Sequence, residues 1–174
     1  KRTKELKDAN KKLEKLATTD SLTGLYNRAK IDEFLNQELS RFNRYGHNFS
    51  ILILDLDDFK LLNDNFGHQI GDIVLKSFSN ILQESVRKSD MIGRWGGEEF
   101  LIVLPETNLD NAIQTAKKIA KNLREYNFDF TDKSITVSVG VGEFRADDTI
   151  TSLFARADKN LYKAKELGKD LVIG

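Results

Sequence analysis

The run Phe49-Ser50-Ile51-Leu52-Ile53-Leu54-Asp55 restricts the fold more than any other stretch, because it is apolar almost without interruption and ends in an acid. A strand of that kind is buried on both faces, so its sheet needs helices above and below. The chain offers them. Arg28 to Tyr45 carries Ile31, Phe34, Leu35, Leu39 and Phe42 in a helical stripe closed by Gly46. Two helical stretches are expected around Phe59 to Phe66 and Asp72 to Val86, a third from Asn108 to Tyr126, and a fourth from Ile150 to Leu167 with Gly168 closing it. Ile135, Val137, Val139 and Val141 alternate with small or polar residues, the pattern of a strand covered on one face, and Leu171-Val172-Ile173 adds a last short strand. The expectation is an α/β (α+β) domain with a mixed central sheet of about five strands flanked by helices.

With 174 residues the chain fits one domain and a short appendage. Lys and Arg number 27, as do Asp and Glu, so no global field recruits DNA, RNA or an acidic membrane surface. Any phosphate binding must be local. The absence of cysteine excludes disulfides and thiolate metal sites. No apolar run approaches the roughly 18 residues of a membrane span, and a cytoplasmic location is expected. Residues 1–18 are lysine-rich, with Leu6, Ala9, Leu13 and Leu16 at heptad a and d spacing. Both a short coiled coil and a solvated charged helix fit that pattern. Residues 1–18 are therefore set apart as a helical linker, and residues 19–174 as the folded domain. Beginning at Lys1, the chain is expected to be a piece of a longer protein.

Trp95-Gly96-Gly97-Glu98-Glu99-Phe100 lies between two short apolar runs and reads as a hairpin, the glycine pair supplying the turn and the glutamates its tip. Two readings fit Glu98 and Glu99, solvated turn residues or ligands of a cation. Asp55 stands at the end of the buried strand, where α/β folds tend to hold ligands, in the company of Asp57 and Asp58. If the hairpin lies beside that strand, Asp55 and Glu98 converge, and two such charges ~4 Å apart repel by roughly 4 kcal/mol at an effective dielectric near 20. A divalent cation removes that penalty. Oxygen ligands with no His or Cys nearby point to Mg²⁺ or Mn²⁺, with substrate phosphates completing the shell.

These residues resemble a known family. Asp55-Leu56-Asp57-Asp58-Phe59-Lys60, Asn63-Asp64, Phe66-Gly67-His68 with Gly71-Asp72, and Gly96-Gly97-Glu98-Glu99-Phe100 resemble the GGDEF domain of bacterial diguanylate cyclases, the hairpin in its GGEEF form. The resemblance runs from Asp20-Ser21-Leu22-Thr23-Gly24-Leu25-Tyr26-Asn27-Arg28 to Ala164-Lys165 and Gly168. It implies a palm-like, nucleotidyl-cyclase-like fold and condensation of two GTP into cyclic di-GMP across a homodimer. It also implies residue roles. Asp55, the carbonyl of Leu56, Glu98 and Glu99 would serve the metal, and Glu98 or Glu99 would help deprotonate the attacking 3′-hydroxyl. Lys60 would stabilise the transition state. Asn63 and Asp72 would read guanine, an ionised Asp accepting from both N1–H and the exocyclic amine, while Phe59, His68 and Gly97 would line the GTP site. Lys165 and Lys169 would meet phosphates, Lys169 replacing the family's arginine and losing its bidentate fork. Arg87 and Asp90, with Lys118, would form an inhibitory product site, Arg87 lying nine residues before Gly96.

Taken without the resemblance, Asn63 and Asp72 read as caps around a glycine turn, and Lys60 and the Arg87–Asp90 segment as solvated surface. Two rival functions remain beside the cyclase. One is a module that binds GTP or cyclic di-GMP without turnover, and the other is a different palm-type nucleotidyl transferase.

Overall fold

The structure is a computed structural model that describes residues 2–174. Lys1, the first residue of the expected linker, lies outside them. The elements run α1 (Arg2–Thr18), α2 (Arg28–Tyr45), β1 (Phe49–Leu56), α3 (Phe59–Phe66), α4 (His68–Ser85), β2 (Met91–Gly96), β3 (Glu99–Pro105), α5 (Leu109–Glu125), β4 (Val137–Glu143), α6 (Ile150–Glu166) and β5 (Val172–Ile173). One five-stranded sheet has the order β2-β3-β1-β4-β5. All neighbours are antiparallel except β4 and β5, so the sheet is mixed as expected.

The run that dominates the sequence is the central strand β1. Leu52, Leu54 and Leu56 join Phe100, Ile102, Phe78, Leu82, Ile119 and Leu123 in a core against α4 and α5. Phe49, Ile51 and Ile53 join Leu101, Val103, Ile31, Leu35 and Leu153 in a second core against α2 and α6. Each of these side chains contributes about 1.5–3 kcal/mol by leaving water, which is why a strand apolar on both faces ends at the centre.

Two expectations need correction. β4 is buried on both faces, not one. Its small residues do not face solvent: they admit α6, since a Cβ at Gly140 would lie 2.0 Å from the Ala157 carbonyl. α4 starts at His68 rather than Asp72. The break that separates it from α3 is Gly67, at φ 87° and ψ 160°, and the first turn, His68-Gln69-Ile70-Gly71, has a single large apolar residue and so no stripe to reveal it. Asn27, Asn108 and Thr149 cap α2, α5 and α6 through their side chains, fixing three helix starts that the apolar periodicity had marked.

In α1, Leu6, Leu13 and Leu16 are 64%, 64% and 68% exposed. Among the described residues no helix is long and apolar enough to cross a membrane. The register places the end of β1, the β2–β3 turn, the start of β4 and the end of α6 at one end of the sheet, and the candidate site lies there.

Candidate active site

The hairpin forms, with its turn one residue later than the glycine pair implies. Gly96 still belongs to β2 and pairs with Glu99, so the central turn residues are Gly97 and Glu98. Only Gly97 has positive φ, at 54°. The two glutamates are thereby separated in role: Glu98 lies in the turn, whereas Glu99 opens β3 directly opposite Asp55. The Leu56 N–H donates to the Glu98 carbonyl at 3.3 Å, locking the tip beside the end of β1.

Lys165, near the end of α6, reaches into this corner. Its Nζ lies 2.7 Å from Asp55 Oδ1, 2.8 Å from Asp57 Oδ1, 3.3 Å from the Asp55 carbonyl and 3.5 Å from the Leu56 carbonyl. Asp57 serves as the anchor. It accepts from Thr136 and Ser138 hydroxyls at 2.7 Å each and from the Asp170 N–H at 3.0 Å, tying β1, β4 and the loop after α6 together. Asp58, Lys169 and Asp170 hold φ of 53°, 67° and 50°. Left-handed residues other than glycine cost energy and tend to gather at functional sites.

Acid outnumbers base here. Burial pushes the Asp55 carboxyl above its ordinary range, Glu98 and Asp57 add to the push, and the Lys165 contact does not cancel them. Burial likewise raises Glu99, reinforced by Asp55, Glu98 and Asp158. For Asp57 burial acts in the same sense, but hydrogen bonds from Lys165, Ser138, Thr136 and Asp170 outweigh it and hold the group below its ordinary range. Among the described residues no three acidic, His or Cys side chains make a metal cage by themselves. Several hard oxygens nevertheless converge on one cationic atom while negative charge remains in excess. That donor set fits Mg²⁺ or Mn²⁺, which keep few protein ligands and take the rest from water and phosphates.

The residues assigned to the nucleotide fall on the α3–α4 pair. Lys60 is exposed on the first turn of α3, and Asp72 and His68 are exposed on the first turns of α4. Asn63 is half-buried, and its Oδ1 is a buried acceptor without a partner. Phe59 departs from expectation: its ring is 8% exposed and packs in the core, so only its backbone is available to a ligand. Lys169 pairs with Asp58, and the Arg124 guanidinium grips Asp170 through two bonds of 2.8 and 2.7 Å.

Arg87, Asp90 and Lys118 come together away from this corner. With Ser85, Gln114 and Thr115 they line a cavity of about 300 Å³. Asp90 Oδ2 accepts from the Arg87 N–H at 2.8 Å, and its Oδ1 is buried without a partner. The Lys118 ammonium donates to the Ser85 carbonyl at 3.1 Å.

Comparison with known proteins matches residues 17–171 to the family described as diguanylate cyclase, GGDEF domain. The chain belongs to the GGDEF family. Diguanylate cyclase DgcP of Pseudomonas aeruginosa is 42% identical over 156 residues, which cover 88% of this chain and 23% of that protein. Other curated relatives are matched over 36% to 51% of their length. The coiled coil and GGDEF domain of DgcB from Caulobacter crescentus, solved in complex with c-di-GMP, superposes with a TM-score of 0.91 at 28% identity, covering 99% of this chain and 93% of that one. The active GGEEF domain of a diguanylate cyclase from Vibrio cholerae gives a TM-score of 0.81 at 34% identity, covering 84% of this chain and 95% of that one.

Several residues that build the site in this GGDEF domain escaped the sequence reading. Thr136 and Ser138 hold Asp57, Arg124 holds Asp170, and Arg94 bonds Asp20 and the Gly97 carbonyl. Ser138 had a signal, as a polar residue at an inward position of an otherwise Val-Gly strand. Arg124 had none.

Proposed function

We propose that this GGDEF domain is a diguanylate cyclase that joins two GTP molecules into cyclic di-GMP and releases two pyrophosphates. The observation that carries the reading is the convergence of Asp55, the Leu56 carbonyl and the hairpin glutamates at one sheet end, with excess negative charge, beside the first turn of α3. Asp55, the Leu56 carbonyl and Glu98 would hold Mg²⁺ or Mn²⁺, which when bound neutralises phosphate charge and acidifies the attacking hydroxyl. Glu99, raised by burial and by its acidic neighbours, is suited to taking the proton from the 3′-hydroxyl. The 3′-oxygen then bonds to the α-phosphorus of the facing GTP, and the bond to pyrophosphate breaks.

Lys60, Lys165 and Lys169 supply positive charge to the phosphates. Lys165 can keep Asp57 while it gives up Asp55, because Asp57 is fixed by its other donors. Asn63 and Asp72 read guanine, and His68 and the Phe59 and Gly97 backbones line the same site. A wrong base leaves such groups unpaired, which is costly.

Each domain binds one GTP, so two must face each other in a homodimer. Residues 1–18 act as the linker helix, with Leu6, Leu13 and Leu16 available to pair with a second copy. Residues 19–174 form the catalytic domain, working in the cytoplasm where GTP is made. The Arg87, Asp90 and Lys118 cavity takes the product and slows turnover. Arg87→Ala should abolish inhibition by added cyclic di-GMP and leave the initial rate within about 2-fold. Incubation with GTP and Mg²⁺, with pyrophosphate followed and the nucleotide product identified, tests the main reading. Cyclic di-GMP rising with chain concentration supports it; GTP binding without product leaves only a binding module, and a different product means a different transferase.

A further inference from the structure

The nine residues that connect α1 to α2, Thr19–Asn27, hold the end of α1 on one side and the hairpin on the other. On the α1 side, Asn27 Nδ2 donates to the Ala17 carbonyl at 2.8 Å, and the Asn27 N–H donates to the Thr18 carbonyl at 2.9 Å. On the hairpin side, the Tyr26 N–H donates to the Ile92 carbonyl at 3.2 Å and the Arg94 N–H to the Tyr26 carbonyl at 3.0 Å, so Tyr26 pairs with the edge strand β2. The Arg28 guanidinium lies 4.3 Å from the centroid of the Trp95 ring. The strand that leads into the turn is thus held at Ile92, Arg94 and Trp95 by Tyr26 and by Arg28 at the start of α2.

Arg94 completes the link. Its Nη1 lies 3.2 and 3.3 Å from the two carboxylate oxygens of Asp20, while its Nε donates to the Gly97 carbonyl at 2.9 Å. Asp20 is itself set, accepting from the Thr23 N–H at 2.9 Å and the Thr23 hydroxyl at 2.7 Å. Both side chains are mostly buried, at 16% and 23% exposure. A guanidinium is a planar fork, so one side chain can span two fixed acceptors without bending. Gly97, at positive φ, is the freest backbone in the turn, and its carbonyl precedes Glu98 directly. A bond at that carbonyl has leverage over the glutamates that follow.

We propose that Arg94 is a positioning residue that transmits the geometry of the α1–α2 connection, through Asp20, to the hairpin tip and hence to Glu98 and Glu99. This rests on the cyclase reading for its kinetic consequence and stands apart from it for its structural one.

Trp95 is the single tryptophan of the chain and sits beside Arg94, so its fluorescence reports one position of the hairpin, where it packs against Arg28 and Phe154. The test compares acrylamide quenching of Trp95 with kcat and KM for GTP in the full chain, for Arg94→Met, Arg94→Lys, Asp20→Ala and the double variant. Arg94→Met is expected to raise the quenching constant about 2-fold and lower kcat about 10- to 100-fold, with KM within about 2-fold. Asp20→Ala should shift Trp95 in the same direction and add nothing on the Arg94→Met background, and Arg94→Lys should recover part of both effects. Unchanged Trp95 quenching in Arg94→Met, or fully additive single effects, would overturn the proposal. Should circular dichroism show Arg94→Met unfolded, Asp20→Asn decides: a smaller shift of Trp95 in the same direction supports the link, and none contradicts it. Absence of cyclic di-GMP from the wild type would refute the cyclase reading and leave the quenching comparison standing.

Discussion

Arg156 and Lys165 lie nine residues apart on α6, and they meet carboxylates in opposite ways. At the sheet end where β1 begins, Arg156 grips Asp148 with both terminal nitrogens and donates to the Glu143 carbonyl at 2.6 Å. Glu143 accepts in turn from Asn48 and from the Leu109 N–H, at 3.0 Å each. The Arg156 contact holds Asp148 well below the ordinary carboxylate range. At the end where β1 finishes, one ammonium is shared between Asp55 and Asp57 while Glu98 and Glu99 stand by, and burial keeps Asp55 and Glu99 above their ordinary range. Three of the four left-handed residues other than glycine, Asp58, Lys169 and Asp170, gather at the second end, and the fourth, Glu106, lies at the first. At the first end Asp148 and Glu143 are met by matched donors and stabilise the fold. The other leaves charge and strain in excess, which on the proposed reading a cation and a phosphate would offset.

Asp55→Asn should give the largest separation between the two ends. It is expected to lower kcat for cyclic di-GMP formation by ~10³-fold or more while the melting temperature holds or rises, because a carboxylate that costs energy to bury is lost. A large fall in melting temperature would erase the contrast. Asp148→Asn is the reverse experiment, expected to cost about 2 kcal/mol by denaturant unfolding with kcat and KM unchanged. Because the folded-state pKa of Asp148 is depressed, its contribution is present above the ordinary Asp pKa and is lost as pH falls through the folded value. The wild type should therefore lose its excess stability over Asp148→Asn in acid.

Glu38 sharpens the contrast on a smaller scale. Its Oε2 is buried without a partner, and burial raises its carboxyl despite the Arg41 contact. A raised acid pKa means stability is fully present below the unfolded value and declines as pH climbs through the folded one. Glu38→Gln should thus stabilise the chain at neutral pH by about 1 kcal/mol, read by denaturant unfolding, with no gain in acid and no change in kcat.

Much of this was legible in the chain itself, for physical reasons. β1 could be placed because continuous apolarity has one solution in a sheet, and α2 and α5 because helical stripes and Asn caps coincide. β4 was misjudged on burial because Val-Gly alternation looks the same whether its glycines face water or a helix backbone. The turn was offset by one residue because two adjacent glycines both accept positive φ, and only the pairing of Gly96 with Glu99 selects Gly97. Asp55 and the hairpin glutamates carried a local signal. Asp57 as an anchor did not, since its partners Thr136, Ser138, Lys165 and Asp170 are remote in sequence and meet only in the fold.

Calorimetric titration with 3′-deoxy-GTP, which cannot cyclise, tests most directly whether the acidic corner holds a cation under the nucleotide. Run with and without Mn²⁺, the wild type should bind at least about 10-fold more tightly with the metal, and Asp55→Asn should lose that difference. Equal affinity in the two conditions for the wild type, or an undiminished metal effect in Asp55→Asn, would contradict it.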